Sequence, residues 1–105
     1  MCEFKVFDKQ KLVAQDIVHA SVSKGALLLK DALQSTTSIQ EALITEIDVA
    51  NEAMRLNRHP IVGDMLHFLD AVAGCEESGK YDRSLEELWQ RAKSRGDETI
   101  RDLWR

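Results

Sequence analysis

Met1-Cys2-Glu3-Phe4-Lys5-Val6-Phe7 opens the chain, and the reading of this stretch decides the fold. Its side chains alternate, with Cys2, Phe4 and Val6 on one face and Glu3, Lys5 and Phe7 on the other. That two-residue period is the signature of a strand with one preferred buried face. A strand starting here would hold the cysteine behind the initiator Met in a defined place. Were Met1 removed, the same residue would offer a free amine beside a thiolate, two donors for a soft or borderline metal. Cys2 equally reads as a small apolar residue covering the start of a sheet. Both readings stand at this point.

Working outward, Asp8-Lys9-Gln10-Lys11 is a polar hairpin turn. Residues 12–22 are rich in β-branched side chains and long enough for a strand with a bend or bulge near Gln15-Asp16. Ser23-Lys24-Gly25 is the next turn, with Gly25 free to take positive φ. Residues 26–31 read as a short strand, 34–38 as a polar loop, 39–42 as a short strand or a link, and 43–49 as a strand. Residues 52–57 finish the sheet or begin a helix. About five short strands in about fifty residues are most economically buried as a small curled sheet or barrel.

The pattern changes after Arg58-His59-Pro60, where Pro60 suits the first turn of a helix. Ile61, Met65, Phe68, Leu69 and Val72 share a helical face, with Gly74 as a stop and a loop over 76–80. Ser84-Leu85-Glu86-Glu87 has capping-box spacing. The stripe Leu85, Leu88, Trp89, Ala92 ends near Gly96, and Asp97 is placed to cap a last helix bearing Ile100, Leu103 and Trp104. The expected class is α+β: a small β-barrel domain over 1–57 and a two- to three-helix extension over 58–105.

Bulk properties narrow the function. The charged fraction of 30% and hydrophobic fraction of 44% over 105 residues are those of an ordinary folded domain, so disorder is not required. The net charge of −4 is spread over both halves, without a basic arm, which weighs against nucleic-acid binding by bulk electrostatics. Neither a run of about 18 apolar residues nor a signal peptide is seen, so a cytoplasmic place and no membrane are expected. In a reducing compartment Cys2 and Cys75 are free thiols. Nothing pairs a nucleophile with a base, so catalysis is not expected.

Several stretches of the β-half carry a resemblance. They are Met1-Cys2-Glu3-Phe4-Lys5-Val6, Val13-Ala14-Gln15-Asp16, the turn Lys24-Gly25, Leu27-Leu28-Leu29-Lys30-Asp31, and Ile44-Thr45-Glu46-Ile47-Asp48-Val49. Over residues 1–56 this half resembles the CooT family of small nickel-binding proteins, earlier catalogued as predicted RNA-binding proteins. The resemblance implies a small β-barrel homodimer holding Ni(II) at its interface through Cys2, with the backbone nitrogen of Glu3 as the next candidate ligand. It also implies a nickel-enzyme maturation partner, the family's founding role being linked to nickel insertion into carbon monoxide dehydrogenase. Two departures stand out. The family often has Gly-Asn after the Asp of the third strand, whereas Asp31 is followed here by Ala-Leu-Gln-Ser-Thr-Thr. The helical half has no counterpart in minimal members.

Chemistry agrees with the resemblance on the metal. Two copies of Cys2, each with its amine, would supply a nitrogen–sulfur plane suited to Ni(II) or Cu(II), while one thiol per chain is too few for a sulfur-rich zinc site. Other candidates read more plainly. Cys75 is a packing or surface thiol. His59 and His67 lack the usual zinc spacing, His67 reading as an edge-of-core residue and a weak auxiliary ligand. The 35–38 segment is a solvent loop. Trp89 and Trp104 are core or dimer anchors, or a partner surface where exposed. Two alternatives to the metal reading remain: an RNA-binding barrel using Phe4, Arg55 and Arg58, and an adaptor that docks a partner through its helical tail.

Overall fold

A computed structural model describes residues 2–104 of the chain. Six strands are followed by two helices, an α+β arrangement: β1 (Phe4–Asp8), β2 (Lys11–Ser23), β3 (Ala26–Asp31), β4 (Thr36–Gln40), β5 (Ala42–Asp48), β6 (Ala53–Arg58), α1 (Pro60–Ser78) and α2 (Ser84–Trp104). The strands form one mixed sheet in the order β4-β3-β2-β1-β6-β5. All neighbours are antiparallel except β1 and β6, which run parallel.

The sheet curls without closing, and β2 is the reason. Its first half pairs with β1 and its second half with β3. Between Val6↔Ala14 and Phe4↔Ile17 the register slips, and Asp16 sits at φ 60°. This is the bulge expected near Gln15-Asp16, and bulges bend a strand and raise its twist. A second slip, between Ile17 and His19, lies further along the same strand. The edge strands β4 and β5 are joined by Glu41 alone, at φ 60°, so they meet at one end. There His59 N–H donates to the Glu41 carbonyl and Arg58 Nε donates to the Gln40 carbonyl.

The alternating pattern fills the inside of the curl. Val6, Ile17, Leu27, Leu29, Ile39, Ala42, Met54 and Leu56 form the buried core, with Phe4, Val13, Ala14 and Ile44 packed on it. Removing each of the larger side chains from water contributes roughly 1.5–3 kcal/mol before entropy is counted. Lys24 at φ 51° and Gly25 at φ 78° make the tight β2–β3 turn.

Four expectations need correction. Thr36, Thr37 and Ser38 lie in β4, paired with β3, and the connecting turn is confined to 32–35. The Asp31 carboxylate accepts the N–H groups of Leu33 and Ser35, and Gln34 takes φ 70°. The first helix does not stop at Gly74; it runs through 76–78 to end at Gly79, which sits at φ 71° and donates its N–H to the Cys75 carbonyl. Ser84 is the first residue of α2 and not its side-chain cap, since Asp82 Oδ1 accepts the Ser84 N–H at 2.9 Å. That bond, with the side-chain hydroxyl of Ser84 alongside, lowers the Asp82 carboxyl below the ordinary range. Finally, α2 continues through Gly96 and Asp97 as one helix. A helical glycine costs about 1 kcal/mol, which flanking packing can override.

The helices pair with each other far more than with the sheet. Phe68 on α1 meets Trp89 on α2 at 5.4 Å between ring centroids, and Arg95 Nε lies 3.0 Å from Oδ2 of buried Asp64. The result is an arm. The radius of gyration is 16.1 Å, with extents of 44 × 43 × 21 Å, against about 13 Å for a compact chain of this length.

Candidate metal centre

Cys2 precedes β1 and is exposed, with a free thiol. The expected face is only partly realised: Val6 is fully buried and Phe4 half-buried, while Cys2 lies beyond the edge of the core. It does not cover the sheet. Its position is nevertheless defined, because the Glu3 N–H donates to Glu52 Oε2 at 2.9 Å and the Lys5 N–H donates to the Glu52 carbonyl. Glu52 can do both because it sits at φ 50° in the turn before β6, and the parallel pairing of β1 with β6 brings that turn alongside the N-terminus.

The donors that one chain offers here are Cys2 Sγ and, if its proton is displaced, the Glu3 amide nitrogen. The hydrogen bond to Glu52 is one that ligation by that nitrogen would have to replace. Among the described residues no group of three or more His, Cys, Asp or Glu is arranged to hold a metal ion. A four-coordinate site on this end therefore needs donors from a second copy, whether or not the N-terminus is processed. Removal of Met1, which would free the Cys2 amine, lies outside the described residues. Glu3, Asp16, Asp31, Ala32 and Leu33 line a shallow depression at the same end, and Leu33 is 87% exposed. Glu52 and Leu33 belong to this end although neither was visible as a candidate. Glu52 lies 49 residues from Glu3, and nothing local in the sequence connects them.

The histidines are elsewhere. His19 is exposed on β2. His59 caps α1: its Nδ1 accepts the Ile61 N–H at 3.1 Å, which leaves Nε2 facing the Thr99 hydroxyl at 3.4 Å. His67 is exposed, over the Gly25 turn, instead of at a core edge. Cys75 is half-buried near the end of α1. None of them joins Cys2.

The RNA candidates are engaged in the structure of the curled sheet. Phe4 packs on the core. Arg55 bonds Glu46 at 3.1 Å and lies 5.4 Å above the Phe7 ring. Arg58 donates to the Gln40 carbonyl. Among the described residues no helix is long and apolar enough to cross a membrane.

The other notable surface is on the arm. Phe68, Tyr81, Leu85, Glu86 and Trp89 line an apolar groove of about 400 Å³. Tyr81 donates its hydroxyl to Glu86 at 2.6 Å, and that bond pushes the phenol above its usual range. Of the two tryptophans, Trp89 is 44% exposed and Trp104 is 88% exposed, so Trp104 is not a core anchor within one chain.

Neither protein-family models nor curated proteins give a match to this chain. The fold and the site together define a curled six-stranded sheet with an exposed thiol at one end and a two-helix arm at the other.

Proposed function

We propose that this chain is a non-catalytic metal-binding protein in which the Cys2 thiolates of two copies hold Ni(II), serving nickel delivery to an enzyme partner. The observation that carries the reading is the exposed Cys2 thiol, at the head of a strand tied down by the Lys5 N–H, which donates to the Glu52 carbonyl. Cys2 Sγ and the Glu3 nitrogen of each copy are the groups that would hold the ion, and nickel would supply a four-coordinate nitrogen–sulfur centre. The nickel reading, the homodimer and the maturation role draw on the resemblance of residues 1–56.

The RNA reading has less support, because Arg55, Arg58 and Phe4 are already bonded or packed. Native mass spectrometry of protein with a verified N-terminus, titrated with Ni(II), tests the proposal. One nickel per two chains is expected, lost in Cys2→Ser and weakening as pH falls, because thiolates must form. Equal binding by Cys2→Ser would refute the site.

A further inference from the structure

The geometry points to α2 as a self-pairing surface: two copies of this chain join by antiparallel packing of α2 against its symmetry mate, at the end of the molecule away from Cys2. The surface is separate from the metal reading. Cys2 precedes β1, whose start pairs with the start of β6, and the arm follows the end of β6. Six residues of strand put about 20 Å between the two ends.

An isolated helical hairpin buries only one side of each helix. In the arm the buried residues are Gly63, Asp64 and Ala92, whereas Ile100, Leu103 and Trp104 are 67%, 81% and 88% exposed. These three bare side chains lie in the last turns of α2. The apolar groove of Leu85, Glu86 and Trp89 with Tyr81 and Phe68 lies at its first turns. A single two-fold axis near Arg95 brings one to the other. At that register Leu103 and Trp104 of one copy arrive at the level of Glu86 and Glu87 of its mate, over the groove, and the reciprocal contact forms at once. A surface of this kind is complementary to itself.

Charge selects the same occupant and the same helix. Along α2, Trp89, Lys93, Asp97, Ile100 and Trp104 follow one another at intervals of three or four residues and so share a face. The two-fold near Arg95 sets Lys93 opposite Asp97 of the mate, twice. Helix α1 exposes Asp70, Glu76 and Glu77 and carries neither lysine nor arginine. Pairing through α1 would oppose like charges, and the same carboxylates disfavour an anionic bilayer.

The test is the mass of the full chain, kept metal-free with chelator, by sedimentation equilibrium at about 50 μM. Wild type and Cys2→Ser are expected at twice the chain mass. Leu103→Lys changes a residue that touches almost nothing in the monomer, so folding is retained, checked by circular dichroism; its dissociation constant is expected to rise about tenfold or more. Lys93→Asp should weaken the dimer and Lys93→Asp/Asp97→Lys should restore it, which a general loss of apolar contact would not do. A metal-free monomer overturns the proposal. So does a dimer indifferent to Leu103→Lys, or one dissolved by Cys2→Ser, which would place the interface at the Cys2 end of the sheet. Failure of nickel binding leaves this result untouched.

Discussion

Single residues with left-handed backbone hold the curl together. Gly25 is the one where the lack of a side chain matters most, because an added Cβ would lie 2.6 Å from His67 Nε2 while the backbone sits at φ 78°. His67 is exposed and can swing away, but the backbone strain stays. Gly25→Ala is therefore expected to lower stability by about 1 kcal/mol in denaturant titration. His59 joins sheet to arm in a different way, since its ring nitrogen accepts the first free N–H of α1. His59→Ala removes the acceptor and should cost about 1 kcal/mol, while His59→Asn should recover most of it. Equal loss in both variants would mean that the Thr99 contact, not the cap, is what His59 contributes.

At the scale of the element, the two helices outrun the stop signals in their sequences. Gly74 is exposed in α1, with open space where a Cβ would be, and Gly96 in α2 would bring one to an ordinary 3.7 Å from Ile61 Cδ1. Neither position needs glycine's freedom. Gly74→Ala and Gly96→Ala should each stabilise the protein by about 0.5–1 kcal/mol, read from urea midpoints at unchanged slope. The start of α2 has a pH dependence of known sign. Asp82 is held below the usual carboxyl range by the Ser84 N–H. A depressed acid contributes stability that is fully present above its unfolded value, near 3.9. That contribution is lost as pH falls through the lower folded value. The melting-temperature gap between wild type and Asp82→Asn should thus be constant above about pH 5 and close at lower pH. A gap that persists in acid would assign the effect to something other than the charge.

For the whole molecule the division is between a packed curl and a thin arm. The sheet encloses a continuous core with Val6, Leu27 and Leu29 almost wholly buried, whereas the arm buries little beyond Ala92, Gly63 and Asp64. Native-state hydrogen exchange should show slow amides in β1 and β3 and faster ones in the outer turns of α1 and α2. Raising the protein concentration should slow the arm alone, because association stabilises only what it covers. Uniform protection of sheet and arm at every concentration would mean that the two unfold as one unit.

Local chemistry made much of this legible. The bulge at Gln15-Asp16, the Lys24-Gly25 turn and Pro60 in the first turn of a helix are all short-range preferences, and the structure has each of them, while the alternation of the opening stretch holds from Phe4 onward but not at Cys2. A curled sheet followed by helices was readable from them. What only the tertiary structure decided depends on partners distant in sequence. β4 is a strand because β3 offers it an edge, although Thr36-Thr37-Ser38 reads as a loop in isolation. α1 and α2 continue through Gly74 and Gly96 because packing between helices outweighs a propensity of about 1 kcal/mol. Cys2 could be marked by position alone, but its setting beside Glu52 and Leu33 follows from the parallel pairing of β1 with β6 and the turn after β3. Short-range preferences are written residue by residue; which ends of the sheet meet is set by the one curl that buries the whole core at once.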